Sequence, residues 1–353
     1  MKISEKISYR NRNVFIGVDV HRRHYTVSCI CEGDLVKKCQ ILAGPEYLLS
    51  LINKYFSEAT VKVVYEAGFS GFALYRYLEK HHTSCIVVNP CSIEVSSRDR
   101  IKTDKRDSLK MATQLAAGRL RGITIPSEKR ENQRLITRSR EQLLKERTRI
   151  KNQIRFKFHQ FGLFPLEFQT RLTRNQVDLL LKNDLCEELR ASVNLFIGIW
   201  DLLDKQIKQL DSELRKQAAD DPLEKIYRSA CGIGIVAART LVCELGDMSQ
   251  FANEKALFSY TGLTPAEYSS GEHRRLGHIS RQGNARLRRV LIECAWSAIK
   301  KDKKLNEDFI RISSRAGKKR AIVAIARKLI GRVRAAVRKK EMYEPGHNAA
   351  DLK

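Results

Sequence analysis

Three things are scarce or missing in this chain, and each closes off a class of function. No uninterrupted apolar run is long enough to span a bilayer, and the chain opens with the charged stretch MKISEKISYRNRN rather than a signal-like segment. A membrane-embedded or secreted protein is therefore not expected. There is no Cys-x-x-Cys and no paired His spacing; the nine cysteines are scattered, which disfavours a zinc site and makes reduced thiols in the cytoplasm the expectation. Acidic residues are short: 40 Asp and Glu face 66 Lys and Arg, a net charge of +26 with a pI near 9.8. That imbalance points to a polyanion, nucleic acid first and a membrane surface second. The 353 residues suffice for two or three domains with a substantial core.

With acids scarce, their positions carry information. Val14, Phe15, Ile16 and Val18 form a short apolar run of the kind that makes a buried strand, and Asp19 ends it. His21 to His24 is a polar turn, and Tyr25 to Ile30 alternates like a strand paired back on the first, with Cys29 and Cys31 on one face as packing residues. Val61 to Tyr65 reads as another buried strand ending in Glu66, and Cys85 to Pro90 as a further one. Thr103, a suitable N-cap, then opens an amphipathic run in which Asp104 and Asp107 lie three residues apart and share a helix face. A lone Asp at a strand end is ordinary turn chemistry. Two strand-tip carboxylates with a helical pair could instead hold two hard cations, the arrangement that clamps attacking and leaving oxygens in phosphoryl transfer.

The chain is expected to divide into a flexible basic lead-in over 1–12, an α/β domain over 13–125, a helical coiled-coil region over 126–221, a mainly α domain over 222–340 and a flexible tail over 341–353. Between Ser127 and Gln160 eleven Lys/Arg stand against four Glu, on a helix that is either simply solvated or laid along a phosphate backbone. From Glu187 to Lys216, Val193, Trp200, Ile207 and Leu214 recur seven apart, interleaved with Leu189, Phe196, Leu203 and Leu210, a coiled-coil pattern. Its partner is either the Ser127–Phe161 helix folded back or the same helix of another subunit. Gly232 and Gly234 sit between two helical runs, either as a helix-hairpin-helix turn whose backbone N–H groups approach a phosphate or as a tight helix connection. From Gly271 to Arg289 come six arginines, Arg274, Arg275, Arg281, Arg286, Arg288 and Arg289, against one acid, directly after Ser269 and Ser270. A serine in a basic, turn-rich loop is suitable material for a hydroxyl nucleophile aimed at a phosphodiester, though Ser-Ser-Gly is equally an ordinary loop. Arg311 to Lys340 adds twelve Lys/Arg and no acid, with Ile322, Ile325, Leu329, Val333 and Val337 marking one apolar face.

Taken in order, Ile16-Gly-Val-Asp19, Tyr65-Glu66-Ala-Gly, Lys102-Thr-Asp104-Lys-Arg-Asp107, Gly232-Ile-Gly234, Gly262-Leu-Thr-Pro265 with Tyr268-Ser-Ser-Gly271, and Ser280-Arg-Gln-Gly283-Asn284 resemble a DEDD-type insertion-sequence transposase, the group that includes the Piv-type DNA invertases. The resemblance implies a RuvC-like, RNase H-fold N-terminal domain, a coiled-coil insertion and a C-terminal transposase domain carrying a serine. It implies that Asp19, Glu66, Asp104 and Asp107 bind Mg²⁺. The family serine falls on Ser270, with Ser269 beside it as the other candidate hydroxyl. The implied reaction is DNA strand cutting and rejoining through a covalent serine–DNA phosphodiester. The implied partners are donor and target DNA, a noncoding bridge RNA that pairs with both, and further copies of the chain, in a cytoplasmic, nucleoid-associated setting. Two alternatives stay open: a Holliday-junction-type hydrolytic nuclease, and an invertase working without a guide RNA.

Overall fold

Residues 8–94, 104–165, 167–168, 172–219, 221–268, 270, 275–280 and 282–345 are described by a computed structural model, in which the side chains of Asp104, Lys105 and Leu276 are left aside. Thr103, Ser269, Gly271, Arg274 and Arg281 lie outside the described residues. The chain separates into two compact units, residues 1–126 and 127–353. The helical region expected over 126–221 and the domain expected over 222–340 both lie within the second.

The first unit is built on one five-stranded sheet. Its strands are β1 (Asn13–Val20), β2 (His24–Cys31), β3 (Asp34–Leu42), β4 (Thr60–Glu66) and β5 (Ser84–Val88), in the order β3-β2-β1-β4-β5. β1, β2 and β3 form an antiparallel meander, while β4 and β5 add in parallel beyond β1. The β2–β3 turn is two residues, Glu32 and Gly33, both at positive φ (52° and 93°), which matches the twist of a tight hairpin. Helices α1 (Pro45–Phe56) and α2 (Ala73–Lys80) lie on one face, and α3 (Asp104–Ala116) on the other. Pro45 suits the first turn of α1, where its missing N–H has no partner to lose. Leu48, Leu51, Ile52 and Phe56, at helical spacing, bury against Val14, Ile16, Val18, Val27 and Cys29. The strand order and the helices on both faces are consistent with an RNase H-like domain. The lead-in is held from Tyr9 onward: its ring meets Phe56 edge to face at 5.0 Å, and the Arg12 carbonyl accepts from the Thr60 N–H at 2.9 Å.

The second unit is helical apart from one small hairpin: α4 (Glu128–Gln160), α5 (Arg174–Leu180), α6 (Glu187–Ala219), α7 (Pro222–Ser229), α8 (Ile235–Leu245), α9 (Glu254–Thr261), β6 (Pro265–Glu267), β7 (Leu276–Ile279), α10 (Ala285–Ala298), α11 (Lys303–Ala316) and α12 (Lys318–Lys339). Ser127 caps α4, its hydroxyl accepting from the Arg130 N–H at 3.3 Å. The partner of the heptad helix is α4 of the same chain. Arg140 pairs with Asp211 and Arg147 with Asp204, so the two helices run antiparallel, with Ile150, Ile154 and Phe158 buried against Leu189, Val193, Ile197 and Trp200. One expectation is corrected here: residues 341–345 are not part of a free tail. The Tyr343 hydroxyl donates to Asp302 at 2.8 Å, Arg332 donates to both, and all three side chains are buried.

A second buried charge cluster ties α4, α7 and α8 together. Arg239, fully buried, donates to Asp221 at 3.0 Å, and Arg130 of α4 donates to the same carboxylate at 3.0 Å. Glu224 lies 3.9 Å from Arg239 with neither of its oxygens hydrogen-bonded, and burial pushes its carboxyl up to about 7 against the partial opposition of Arg239. A carboxyl that holds its proton more tightly when folded stabilises the protein at low pH and loses that contribution as pH rises from its unfolded value of 4.5 through about 7. Glu224→Gln is therefore expected to remove a decline of about 3 kcal/mol between pH 4 and pH 8. Urea unfolding across that range measures it; a variant as pH-dependent as the parent would refute the assignment.

Candidate functional site

Strand alternation decides which side chains of the first unit share a surface. Val14, Ile16 and Val18 of β1 and Val63 and Tyr65 of β4 face α1 and α2, so Gly17, Asp19 and Glu66 face the other way. That other face is α3's: Val64 and Val88 pack on Met111 of α3. In the parallel register Val18 lies beside Tyr65, which puts Asp19 beside Glu66 at the ends of neighbouring strands. Both carboxylates are half-buried.

Gly17 is what lets α3 reach them. A Cβ at this position would collide with the Ser108 carbonyl and lie 2.6 Å from the Ala112 N–H nitrogen, so the helix backbone rests directly on the strand. The buried Ser108 and Ser28 hydroxyls, 2.9 Å apart, fix the same crossing. Asp107 directly precedes Ser108 and is half-buried; Asp104 opens the helix one turn before Ser108. The structure thus brings Asp19, Glu66 and the first turn of α3 to one face of one sheet. Among the described side chains no group of three or more His, Cys, Asp or Glu is arranged to hold a metal ion; that set excludes the side chain of Asp104. Asp19, Glu66 and Asp107 are among the described side chains and do not form such a group; by their chemistry alone, four carboxylates with no thiolate would suit a hard divalent cation such as Mg²⁺. The sequence gives no special weight to His21, whose Nε2 lies 3.2 Å from an Asp19 oxygen. Its signal is the spacing of two residues beyond a strand-tip Asp, where a tight turn folds the ring back.

In the second unit Ser270 is exposed, next to the hairpin formed by β6 and β7. The base of that loop is closely fitted. Gly283, at φ +86°, faces the carbonyls of Ser259 and Tyr260 at 2.6 Å from where a Cβ would stand. The Asn284 N–H donates to the Tyr260 carbonyl at 2.8 Å, and its side chain caps α10 by accepting from the N–H groups of Arg286 and Leu287. Leu276, Gly277, His278 and Ile279 return the chain along β6.

The arginines expected to grip phosphate divide into groups. Arg286 is paired with Glu141 and, at 3.4 Å, with Glu244; Arg289 pairs with Glu141 at 2.9 Å. Glu244 is 1% exposed on its side chain and is also held bidentately by Arg138 at 3.0 and 3.1 Å. Burial alone would push the Glu141 carboxyl up, but hydrogen bonds from Arg286 and Lys145 outweigh it and hold it below the usual carboxylate range. Arg275 is exposed, and Arg288 leans on the Gln282 carbonyl at 3.5 Å. Gly232, at φ +84°, sits against α10, where a Cβ would lie 2.5 Å from the Cys294 carbonyl and the Ala298 nitrogen; its glycine is accounted for by packing. Gly234 is the N-cap of α8 and is open to solvent.

Comparison with known proteins places both halves of the chain in one group. A family profile described as Transposase, of the DEDD IS110 type, matches residues 16–161, and one described as Transposase IS116/IS110/IS902 family matches residues 224–310. A putative transposase of Sinorhizobium fredii is 28% identical over 364 residues, covering 90% of this chain and 90% of its own length. The transposase for insertion sequence element IS1533 of Leptospira borgpetersenii is 27% identical over 299 residues, covering 81% of this chain and 85% of the relative. The transposase for insertion sequence element IS1111A of Coxiella burnetii is 25% identical over 253 residues, covering 69% of each.

The Gly17 contact makes a direct prediction. Gly17→Ala should lift α3 from β1, lowering stability by about 1–3 kcal/mol and weakening divalent-cation binding, whereas Gly33→Ala, with no atom within 4 Å of its added Cβ, should leave the cation affinity unchanged. Thermal unfolding with calorimetric Mn²⁺ titration checks both; equal cation affinity in the Gly17 variant and the parent would contradict the proposed role of the crossing.

Proposed function

Because the chain belongs to the IS116/IS110/IS902 family of DEDD transposases, enzymes that cut and rejoin DNA, we propose that Asp19, Glu66, Asp104 and Asp107 hold Mg²⁺ in the first unit and that Ser270 of the second is the nucleophile. The observation that supports this is the register that sets Asp19 and Glu66 at adjacent strand ends, on the sheet face against which α3 packs, the helix whose first turn contains Asp104 and Asp107. When bound, the cation neutralises charge on a phosphodiester and its leaving oxygen. The chain's own residues do the rest. The carboxylates fix the cation, and His21 steadies the Asp19 carboxylate. The hydroxyl of Ser270, an exposed residue beside the β6–β7 hairpin, attacks phosphorus. Its Oγ–P bond forms as the bond to one bridging oxygen breaks; the serine proton passes to solvent and the departing oxygen takes one up. The resulting serine–DNA ester stores the bond for rejoining. Ser269 is the competing hydroxyl.

Donor and target DNA are the proposed substrates, with a noncoding guide RNA choosing the sites by pairing. The net charge of +26 supports contact with such backbones irrespective of sequence. No helix of the described residues is long and apolar enough to cross a membrane, and we place the reaction in the cytoplasm, at the nucleoid. Assembly as a homo-oligomer is supported by Leu195, Ile199 and Leu202, exposed at helical spacing on α6 (73%, 44% and 56%).

Incubation of the protein with element-end DNA, guide RNA and Mg²⁺ is expected to give a denaturation-resistant protein–DNA adduct. Ser270→Ala should lose the adduct by at least about a thousandfold while binding DNA normally, and Asp19→Asn should lose all strand cleavage. Sedimentation of the same mixture counts the subunits. Adduct surviving in Ser270→Ala but lost in Ser269→Ala would move the nucleophile by one residue. Cleavage without adduct would favour a hydrolytic nuclease, and adduct without RNA would favour the invertase-like mode.

A further inference from the structure

We propose that the cleft in the second unit between α4 and the facing surface of α8 and α10 is a track for the phosphodiester backbone of a nucleic acid. The inference rests on the reading above only in supposing that nucleic acid is present.

The cleft has a volume of about 900 Å³, and its two walls carry charge of the same sign. Along α4, Arg140, Arg147, Lys151 and Arg155 recur at spacings of seven, four and four, which keeps them on one side of the helix. Fifteen residues at about 1.5 Å each make this a stripe of about 22 Å, longer than one phosphate group needs and suited to several in succession. Across the cleft, α10 contributes Arg286 and Arg289. Glu141 and Glu293 are the acids among the lining residues.

Two features show that these cations are set up for an anion. The first is an imbalance. Lys145, Arg286 and Arg289 all converge on the carboxylate of Glu141, with Arg286 shared with Glu244. Arg134 and Arg138 also sit on Glu244. Five cations around two buried carboxylates repel one another, and a polyanion entering the cleft offsets that repulsion. The second feature is restraint. The Lys151 ammonium lies 4.1 Å above the Trp200 ring and donates to the Leu172 carbonyl, while the Arg155 guanidinium lies 5.2 Å from the Phe164 ring. Arg140 and Arg147 are fixed by Asp211 and Asp204 of α6. Side chains held in this way lose less rotamer freedom when a ligand arrives. The track begins at Arg286, three residues beyond Gly283 at the foot of the loop that carries Ser270, so a strand lying in it would lead toward that loop.

The test is fluorescence anisotropy of labelled single-stranded RNA, single-stranded DNA and duplex DNA of one sequence, each titrated at several salt concentrations. The triple variant Lys145→Gln/Lys151→Gln/Arg155→Gln removes three track charges. Lys54→Gln/Lys62→Gln/Lys80→Gln removes three exposed charges from the first unit and serves as the control. For a bound single strand, the slope of log K against log salt should fall by about 2 in the track variant, with at least a tenfold loss of affinity, and stay unchanged in the control. A Lys145→Arg/Lys151→Arg variant should retain the parental slope. If the triple variant unfolds, Arg155→Gln alone should lower the slope by about 0.7. The probe that loses affinity identifies whether RNA or DNA occupies the track. Equal losses in track and control variants, or an unaltered slope for every probe, would overturn the proposal. Adduct formation through Ser270 is scored separately, so failure here leaves the serine assignment standing, and the converse.

Discussion

The contact on which the first unit depends is backbone against backbone: α3 lies on β1 at Gly17, with no side chain between them. A helix normally stands off a sheet by the depth of a side chain. Here the missing Cβ lowers α3 to within van der Waals distance of the strand, and the Ser28–Ser108 pair satisfies two hydroxyls buried by that approach. The first turn of α3, carrying two acids, is thereby brought to the sheet face where β1 and β4 end in two more. Acids brought to one face repel, and the proposed divalent cation is a partner whose charge would offset that repulsion.

The second unit uses the opposite charge arrangement. Two buried carboxylates, Glu141 on α4 and Glu244 on α8, each gather several cations, and Arg286 links them through the first turn of α10. The same residue therefore sets the angle of α10 and contributes positive field to the cleft beside it. Asn284 couples this frame to the serine loop, capping α10 while its backbone N–H is bound to Tyr260. The foot of the serine loop is thus tied to α4 through the Arg286–Glu141 pair, 145 residues apart in sequence.

Much of the fold is legible in the sequence because it is written in local periodicity. The apolar run ending at Asp19, the run ending at Glu66 and the heptads from Val193 to Leu214 all predict their elements, and the acids at strand ends follow from those boundaries. What periodicity does not specify is the partner. The heptads fit an intrachain or an intermolecular helix equally well, and only the Arg140–Asp211 and Arg147–Asp204 pairs show which one α6 takes. Likewise the run of arginines does not reveal which acid holds Arg286 and Arg289 in place: it is Glu141, far away in sequence. Gly232 is a similar case: a Gly-x-Gly turn suits a phosphate, but its positive φ and its contact with α10 explain the residue by packing alone. Tyr343 lies in a stretch whose composition suggests a tail, and its anchorage depends on Asp302 and Arg332.

The central claim is that four carboxylates from β1, β4 and α3 share a divalent cation. Electron paramagnetic resonance of Mn²⁺ titrated into the full-length protein, without nucleic acid, tests it most directly, because it reads binding rather than turnover. The account predicts bound Mn²⁺ that weakens at least tenfold when any one of Asp19, Glu66, Asp104 or Asp107 is replaced by its amide. Mn²⁺ binding as tight in Asp104→Asn and Glu66→Gln as in the parent would contradict it.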